Sequence, residues 1–184
     1  MNLFKIFLEC VWLMLPAIIS NIVPGLFRNT LKFLAKPADF NKSWKGKRIL
    51  GDHKTIRGFV VGVIFAIIIA FVQTRLYFSN IFFKSISLVD YGNINFIAVG
   101  FLLGFGALLG DSVKSFFKRR RNVDPGERWI PYDEIDWILG SLILFSVIYV
   151  PDAPHFLIMI ILFPIFHIII NHIGFYLKIR DKKW

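Results

Sequence analysis

Three aspartates lie in one short stretch of the sequence, between two long apolar segments. They are Asp111, Asp133 and Asp136, and six lysines and arginines lie in the same stretch. Carboxylates at the edge of a membrane are costly unless they are paired or bind a cation. Carboxylate oxygens suit Mg²⁺, which completes its shell with water and substrate phosphates. The three aspartates are therefore predicted to hold Mg²⁺.

Asp111 also begins a pattern of polar side chains at helical spacing. Four residues stand at positions i, i+3, i+4 and i+7: Asp111, Lys114, Ser115 and Lys118. If the helix of the preceding apolar segment continues into the cytosol, all four share one face and point into the same space. The alternative is an ion pair between Asp111 and Lys114 at the membrane interface, with the basic run after it serving only to fix the topology.

Asp133 and Asp136 follow Pro131 and are three residues apart, so they are predicted to share a face at the start of another helix. Gly140 lies one turn further along and leaves room beside them. The simpler interpretation is that Asp133 caps this helix and that the helix dipole favours Asp136 in its first turn. Capping does not explain why so many of the chain's twelve acids gather around one loop.

A second polar segment, residues 51–58, precedes another apolar run. It reads Gly-Asp-His-Lys-Thr-Ile-Arg-Gly, and its residues Gly51, Asp52, Lys54 and Thr55 are candidates for contacts with nucleotide or phosphate oxygens. The segment does not match the P-loop pattern, so a phosphate cradle of that type is not indicated. A solvated basic loop that meets anionic lipid headgroups would have a similar composition.

The composition indicates a membrane protein. Apolar residues make up 56% of the 184 residues and include 21 Phe, which is more than the core of a soluble domain of this length holds. We predict an all-α integral membrane protein with a single domain, residues 1–184, and about five transmembrane helices. The five apolar segments are about 3–27, 58–79, 94–112, 135–150 and 154–177. The fourth is short for a span, so a re-entrant hairpin of the last two segments is the competing topology.

The positive charge is distributed unequally among the loops. Nineteen of the 22 lysines and arginines lie in residues 28–57, in residues 114–128 and in the C-terminal tail, and only three lie elsewhere. The positive-inside rule then predicts an N-terminus outside, a C-terminus in the cytosol and an active site at the cytosolic interface of the cell membrane. The net charge of +10 does not indicate nucleic acid, because the cations lie between apolar runs of membrane length. A cleaved signal peptide is less favoured than a retained first span, since the first apolar segment continues to Phe27.

Glycine and proline shape two of the predicted spans. Span three contains two glycine pairs, 100/104 and 106/110, with the spacing that lets helix backbones approach closely in lipid. Tight packing there would hold Asp111 on a rigid support. Span one contains Pro16 and Pro24, so its backbone is expected to be bent and covered by protein.

Taken together, these motifs resemble those of the CDP-archaeol synthase family, which is related to CDP-diacylglycerol synthase. The resemblance covers nearly the whole chain and rests on four motifs: Gly110-Asp111 to Arg120; Pro131-x-Asp133-Glu134-x-Asp136-Trp137; Gly51-Asp52-x-Lys54-Thr55-x-x-Gly58; and Pro16-Ala17, Asn21 and Pro24. It implies that CMP is transferred from CTP to an isoprenoid ether glycerol phosphate lipid with geranylgeranyl chains. Pyrophosphate is released and Mg²⁺ is the cofactor.

The residues suit this chemistry. A lipid phosphomonoester is largely dianionic at pH 7 and is already a nucleophile, so the difficulty is to bring it to a highly charged triphosphate. We expect four cations to neutralise the pyrophosphate and the lipid phosphate: Lys114, Lys118, Arg119 and Arg120. Ser115 is expected beside them at the nucleotide. The alternatives are the same reaction on diacyl phosphatidic acid, a CTP-dependent lipid kinase, and a non-enzymatic scaffold whose basic loops bind lipid headgroups.

Overall fold

A computed structural model describes residues 2–123 and 127–176. Its elements are α1 (Leu3–Leu26), β1 (Ser43–Trp44), β2 (Lys47–Arg48), α2 (Ile56–Ser79), α3 (Ile81–Ser85), α4 (Phe96–Arg120), α5 (Tyr132–Phe145) and α6 (Ala153–Tyr176). The described chain is therefore mostly helical, as predicted. The predicted end of the last span at residue 177 and the basic tail lie outside the described residues.

Three helices are long and apolar enough to cross a membrane: α1, α2 and α4. They confirm the first three apolar segments. The N-cap residue of each helix has a side chain that accepts a hydrogen bond from the helix backbone. These residues are Asn2, Thr55 and Asn95. In the centre of the bundle, α4 contacts α1, α2 and α5. The polar residues at the end of α4 therefore lie on a helix that three other helices hold in place.

The helix α4 extends eight residues past the predicted end of span three, to Arg120. Its last turn contains Lys118, Arg119 and Arg120, and cations are favoured at this end of the helix dipole. The predicted shared face requires the helix to continue past residue 112, and it does. The residues of that face are Asp111, Lys114, Ser115 and Lys118.

The last two predicted spans differ more from their expected bounds. The helix α5 has 14 residues and ends at Phe145, five residues before the predicted end. A turn follows, in which the Ser146 hydroxyl donates to the Ile143 carbonyl, and Pro151 then separates α5 from α6. The 24-residue α6 packs against α1 and α5.

The two glycine pairs of α4 face different neighbours. A Cβ added at Gly100 would lie 2.5 Å from the Ile67 Cα of α2. A Cβ added at Gly110 would lie 2.1 Å from the Asp136 carbonyl oxygen of α5. Real Cβ atoms do not approach backbone so closely, so only glycine permits both contacts. The predicted tight packing is confirmed, and it brings α4 and α5 together beside Asp111.

The α1 helix continues through Pro16, although proline has no N–H with which to satisfy the carbonyl four residues earlier. That carbonyl belongs to Trp12, and the Gln73 side chain of α2 donates to it. Gln73 in turn accepts a hydrogen bond of 3.0 Å from the Tyr91 hydroxyl. The backbone group freed by Pro16 is thus satisfied by protein, as the sequence predicted for a helix in lipid.

The prediction of an all-α chain did not include strands, but the described residues contain a small two-stranded sheet. The strands β1 and β2 pair through a two-residue turn, with Lys45 at φ 51° and Gly46 at φ 75°. Two positive φ angles are typical of the hairpin turn that matches strand twist. The ring of Trp44 stacks on Phe116 of α4, with centroids 5.7 Å apart, so the hairpin rests on the cytosolic end of that helix in the predicted topology.

Replacing Gly110 by alanine tests the contact between α4 and α5. The new methyl group would overlap the α5 backbone, so we expect Gly110→Ala to destabilise the purified protein by about 1–3 kcal/mol. Thermal unfolding in detergent measures this. Gly25→Ala in α1 is the matched control, because a Cβ there would meet no atom within 4 Å. Equal melting temperatures for the two variants would show that α4 and α5 do not touch at Gly110.

Candidate functional site

Lys114 lies at the centre of the three predicted aspartates. Its Nζ is 3.0 Å from Asp111 Oδ1, 3.0 Å from Asp133 Oδ1 and 2.8 Å from Asp136 Oδ2. Asp111 and Lys114 come from one face of α4, whereas the other two aspartates come from the first turns of α5. The structure therefore brings together the carboxylates that the sequence grouped, and a lysine stands between them.

Two further lysines complete the cluster. Lys54, which lies just before α2, pairs with Asp111, and Lys118 Nζ is 2.9 Å from Asp133. Lys118 also donates to the Glu127 carbonyl at 2.6 Å. Three carboxylates thus face three ammonium groups from different parts of the chain. We name this group the charge cluster: Asp111, Asp133, Asp136, Lys54, Lys114 and Lys118.

The charge cluster is largely withdrawn from water. The exposed fraction is 7% for the Asp136 side chain and 14% for Lys114, while Asp111 is 25% exposed. Ionised groups at such depth lose hydration, and partners of opposite sign offset part of that cost. Here each carboxylate has at least one ammonium partner.

Local geometry at the start of α5 explains the position of Asp133. Pro131 precedes the helix and makes no side-chain cap. Asp133 Oδ2 instead accepts a hydrogen bond of 2.6 Å from the Trp129 backbone N–H. This closes the loop before the helix and turns Oδ1 toward Lys114. The interpretation of Asp133 as an N-cap is therefore wrong for this helix.

A basic pocket of about 540 Å³ opens beside the charge cluster. Its walls come from the loop before α2 and from the last turns of α4. The lining residues with polar or charged side chains are Lys47, Arg48, Asp52, His53, Lys54, Asp111, Lys114, Ser115, Lys118, Arg119 and Asn122, and Gly51 adds backbone. Six of these are lysines or arginines, so the pocket suits a group with several negative charges.

Most of the predicted phosphate-contacting residues line this pocket. Gly51 adopts φ 94° and lies against Arg119, because a Cβ added to it would be 3.6 Å from Arg119 Nε. Asp52 reaches the pocket but is paired with Arg48 at 2.8 Å. The Ser115 hydroxyl donates to the Asp111 carbonyl at 2.8 Å, which fixes its position on α4.

Thr55 and Arg120 do not line the basic pocket. Thr55 is the N-cap of α2, where its hydroxyl accepts the Gly58 N–H at 3.1 Å. Arg120 donates to the Arg48 carbonyl at 2.8 Å, and its guanidinium lies 4.0 Å from the centroid of the Phe116 ring. In the structure both residues hold the loop before α2 in place, which is an indirect contribution to the site.

Sequence reasoning missed Asp39, the residue that shapes this loop. Its side chain is fully buried and accepts hydrogen bonds from the backbone N–H groups of Leu50 at 3.0 Å and Gly51 at 3.1 Å. The Arg48 guanidinium binds the same carboxylate at 2.8 Å. Burial alone would raise the pKa of Asp39, but these hydrogen bonds hold that pKa well below its ordinary value. No motif marks Asp39, which lies more than ten residues before Gly51.

An apolar cavity of about 620 Å³ lies between α4 and α5 on the other side of Lys114. Val113, Phe117, Leu139 and Ile143 line it, and Lys114 and Asp136 also contribute to its wall. A smaller cavity of about 290 Å³ reaches the same carboxylates from α1, through Ile18 and Asn21. The charge cluster therefore separates a basic pocket from apolar space between helices.

Long apolar helices with such a site at one end define an intramembrane enzyme. A solved structure described as "structural insight into an intramembrane enzyme for archaeal membrane lipids biosynthesis" has a similar fold, with a TM-score of 0.66 and 26% identity. The match covers 90% of this chain and 94% of that structure.

The family follows from the sequence comparisons. The family model "CarS-like: CDP-archaeol synthase" matches residues 3–184, so the chain belongs to this family. The CDP-archaeol synthase of Methanospirillum hungatei is 36% identical over 93% of this chain and all of its own length. The CDP-archaeol synthase of Methanocaldococcus jannaschii is 32% identical over 98% of this chain and 99% of its own. The resemblance inferred from the motifs, and the assignment to enzymes, are confirmed.

Replacing Asp39 by alanine tests its role in the loop. The change leaves the backbone N–H groups of Asn41, Leu50 and Gly51 without their acceptor and removes one of the two carboxylates that Arg48 contacts, which costs about 1–3 kcal/mol. We expect trypsin to cut within residues 28–57 about tenfold faster. The stabilisation that Asp39 gives to this loop requires its ionised carboxylate. That stabilisation is therefore fully present above about pH 4 and is lost only as pH falls below that value toward the lowered pKa of Asp39.

Asp90→Ala is the matched control for this experiment. Asp90 also organises a loop, since it accepts hydrogen bonds from Tyr77, Gly92 and Asn93, but it lies before α4 and outside the basic pocket. Tryptic cleavage within residues 28–57 should not change in that variant. A cleavage rate in Asp39→Ala equal to that of the unaltered protein would contradict the role given to Asp39.

Proposed function

We propose that this enzyme transfers CMP from CTP to an isoprenoid ether glycerol phosphate lipid, forming a CDP-activated lipid and pyrophosphate. Membership of the CDP-archaeol synthase family supports this reaction. The observation that carries it is the position of the charge cluster, between a basic pocket and an apolar cavity. Such a site can bring a water-soluble polyanion and a lipid phosphate to the same carboxylates and lysines.

The basic pocket is the proposed place of the CTP triphosphate. Lys47, Lys54 and Arg119 line the pocket, and Lys114 and Lys118 lie at its inner end. Their positive charges offset the repulsion between the triphosphate and the incoming lipid phosphate. Fixed cations directed at the transferring group stabilise the charge of such a transition state without reorganisation. Lys118, held by Asp133, is positioned to neutralise the leaving pyrophosphate.

The donor set also suits the proposed Mg²⁺ cofactor. Asp111, Asp133 and Asp136 provide carboxylate oxygens, the ligands that this ion prefers. Among residues 2–123 and 127–176, no three acidic, histidine or cysteine side chains are arranged to hold a metal ion. The three aspartates surround the Lys114 ammonium instead. We propose that these three aspartates would hold the ion. When bound, Mg²⁺ would offset phosphate charge and orient the triphosphate.

The apolar cavity between α4 and α5 is the proposed place of the lipid chains near the phosphate. The lipid phosphate then enters the charge cluster from the side of Lys114 and Asp136. Since the phosphomonoester is already dianionic near pH 7, it needs no general base. The residues around it have to hold it in line with the α-phosphate and exclude other nucleophiles.

We also propose that the chain crosses the cell membrane five times, with its N-terminus outside and the basic pocket facing the cytosol. Three helices have the required length and apolarity. The concentration of lysine and arginine in residues 28–57 and 114–128 supports this orientation. In this arrangement CTP reaches the pocket from the cytosol, while the lipid reaches the apolar cavity from the bilayer.

The carboxylates provide the direct test. Purified protein is incubated with Mg²⁺, each nucleoside triphosphate in turn and either ether-linked or diacyl lipid phosphates, and the nucleotide-linked lipid is quantified. We expect the product with CTP and the ether lipid. Asp111→Asn and Asp136→Asn should each lower turnover about 10²–10³-fold at equal expression, because each removes one of the proposed ligands.

Asp90→Asn, in the loop before α4, is the control and should leave turnover unchanged. Turnover near that of the unaltered protein in both cluster variants would contradict the proposed roles of the aspartates. Binding of the lipid without any CDP-lipid product would instead favour a scaffold, which needs the cations and not the acids.

A further inference from the structure

We propose that Lys114 is an internal counter-ion that occupies the place of the metal and leaves it when the metal binds. This inference rests on the proposed function, because it assigns the three aspartates to the same cation site. It adds that the site alternates between two occupants. In one state the ammonium of Lys114 neutralises the carboxylates, and in the other that ammonium turns toward phosphate.

The position of Lys114 Nζ carries the first step. The three carboxylate oxygens around it are 2.8–3.0 Å away and belong to Asp111, Asp133 and Asp136. An ammonium has three N–H donors, and here three separate carboxylates surround it. A metal ion that binds the same oxygens must enter the space that Nζ fills. The two occupants are therefore mutually exclusive.

The contacts of Lys114 are close but poorly directed. Among the described residues, Asp133 Oδ1 and Asp136 Oδ2 are buried and neither receives a hydrogen bond of acceptable geometry. Both oxygens nonetheless lie within 3.0 Å of Lys114 Nζ, so the ion pairs are in place. Two buried carboxylate oxygens that lack a directed donor retain coordination capacity, which a metal ion without directional demands on the protein side can use.

Charge balance gives the second step. The charge cluster has three carboxylates and three ammonium groups, so its formal charges cancel. A divalent cation added with all three lysines in place would face strong repulsion at close range in a poorly hydrated site. Movement of Lys114, the lysine of the charge cluster that contacts all three carboxylates, reduces that repulsion. A triphosphate in the adjoining pocket gives the ammonium a new partner of opposite charge.

Open space beside Lys114 permits this movement. Lys114 lines the basic pocket of about 540 Å³ and also the apolar cavity of about 620 Å³. Its flexible four-carbon side chain can turn from the carboxylates into the basic pocket without displacing backbone. The metal and the triphosphate should therefore assist each other, since the one releases the lysine that the other binds.

Metal binding without nucleotide or lipid tests the proposal. Free Mn²⁺ is counted by electron paramagnetic resonance as it is added to purified protein in detergent. We expect Lys114→Met to bind Mn²⁺ at least about tenfold more tightly than the unaltered protein, because the competitor is gone. Lys114→Arg keeps a cation at the site and should remain weak.

Lys47→Met is the matched control. Lys47 lines the same pocket, but its contacts are the Arg120 carbonyl and Asn122 and not the aspartates. The Lys47→Met variant loses one positive charge nearby, but Lys114 still fills the space between the aspartates. Its Mn²⁺ affinity should therefore stay within about twofold of that of the unaltered protein. Equal affinity in Lys114→Met and the unaltered protein, or an equal gain in both methionine variants, would overturn the exchange.

A labelling experiment on the unaltered protein covers the case in which Lys114→Met does not fold. An amine-reactive acylating reagent is applied with and without Mn²⁺, and mass spectrometry measures the modified fraction of each lysine. Lys114 should be protected without metal and label at least about fivefold faster with it, while Lys47 stays constant. Unchanged labelling of Lys114 at saturating Mn²⁺ would contradict the proposal.

The two proposals fail separately. If the unaltered protein forms CDP-lipid but Lys114→Met gains no affinity for Mn²⁺, the exchange is wrong and the function stands. If no CDP-lipid forms but Lys114→Met gains affinity, the cation site exists and the proposed reaction is wrong.

Discussion

The contact between α4 and α5 is the constraint on which the site depends. Gly106 and Gly110 lie directly against the α5 backbone, and a side chain on either would overlap it. Helices that touch at their backbones can share polar groups that long side chains would otherwise separate. Through this contact Asp136 on α5 reaches the Lys114 ammonium on α4. The apolar packing of the bundle thus determines the chemistry at its end.

Charge is the second constraint. A protein with a net charge of +10 surrounds three partly buried aspartates with lysines from the loop before α2 and from α4. Buried ion pairs contribute little net stability, yet breaking one by removing a partner is costly. Asp111 and Asp133 each contact two lysines, and Asp136 contacts Lys114, so every carboxylate charge has an ammonium group beside it. An active site that must accept and release highly charged substrates benefits from several cations around its carboxylates.

Much of the site could be predicted because its signals are local. Helical spacing placed Asp111 and Lys114 on one face, and apolar length identified the first three spans. Other features depend on contacts between distant segments, which no local pattern encodes. Asp39 acts on backbone groups more than ten residues away, and Arg120, which was expected at phosphate, donates to the Arg48 carbonyl on β2. The position of Lys114 among the carboxylates also depends on how α4 and α5 meet.

A double-mutant cycle measures the central contact most directly. Thermal unfolding in detergent is compared for Lys114→Met, Asp136→Asn and the double variant. If the Lys114 ammonium neutralises Asp136, removal of both charges should cost less than the sum of the single changes, by about 1 kcal/mol or more, and the double variant should melt above Lys114→Met. Strictly additive losses would contradict this account of the site.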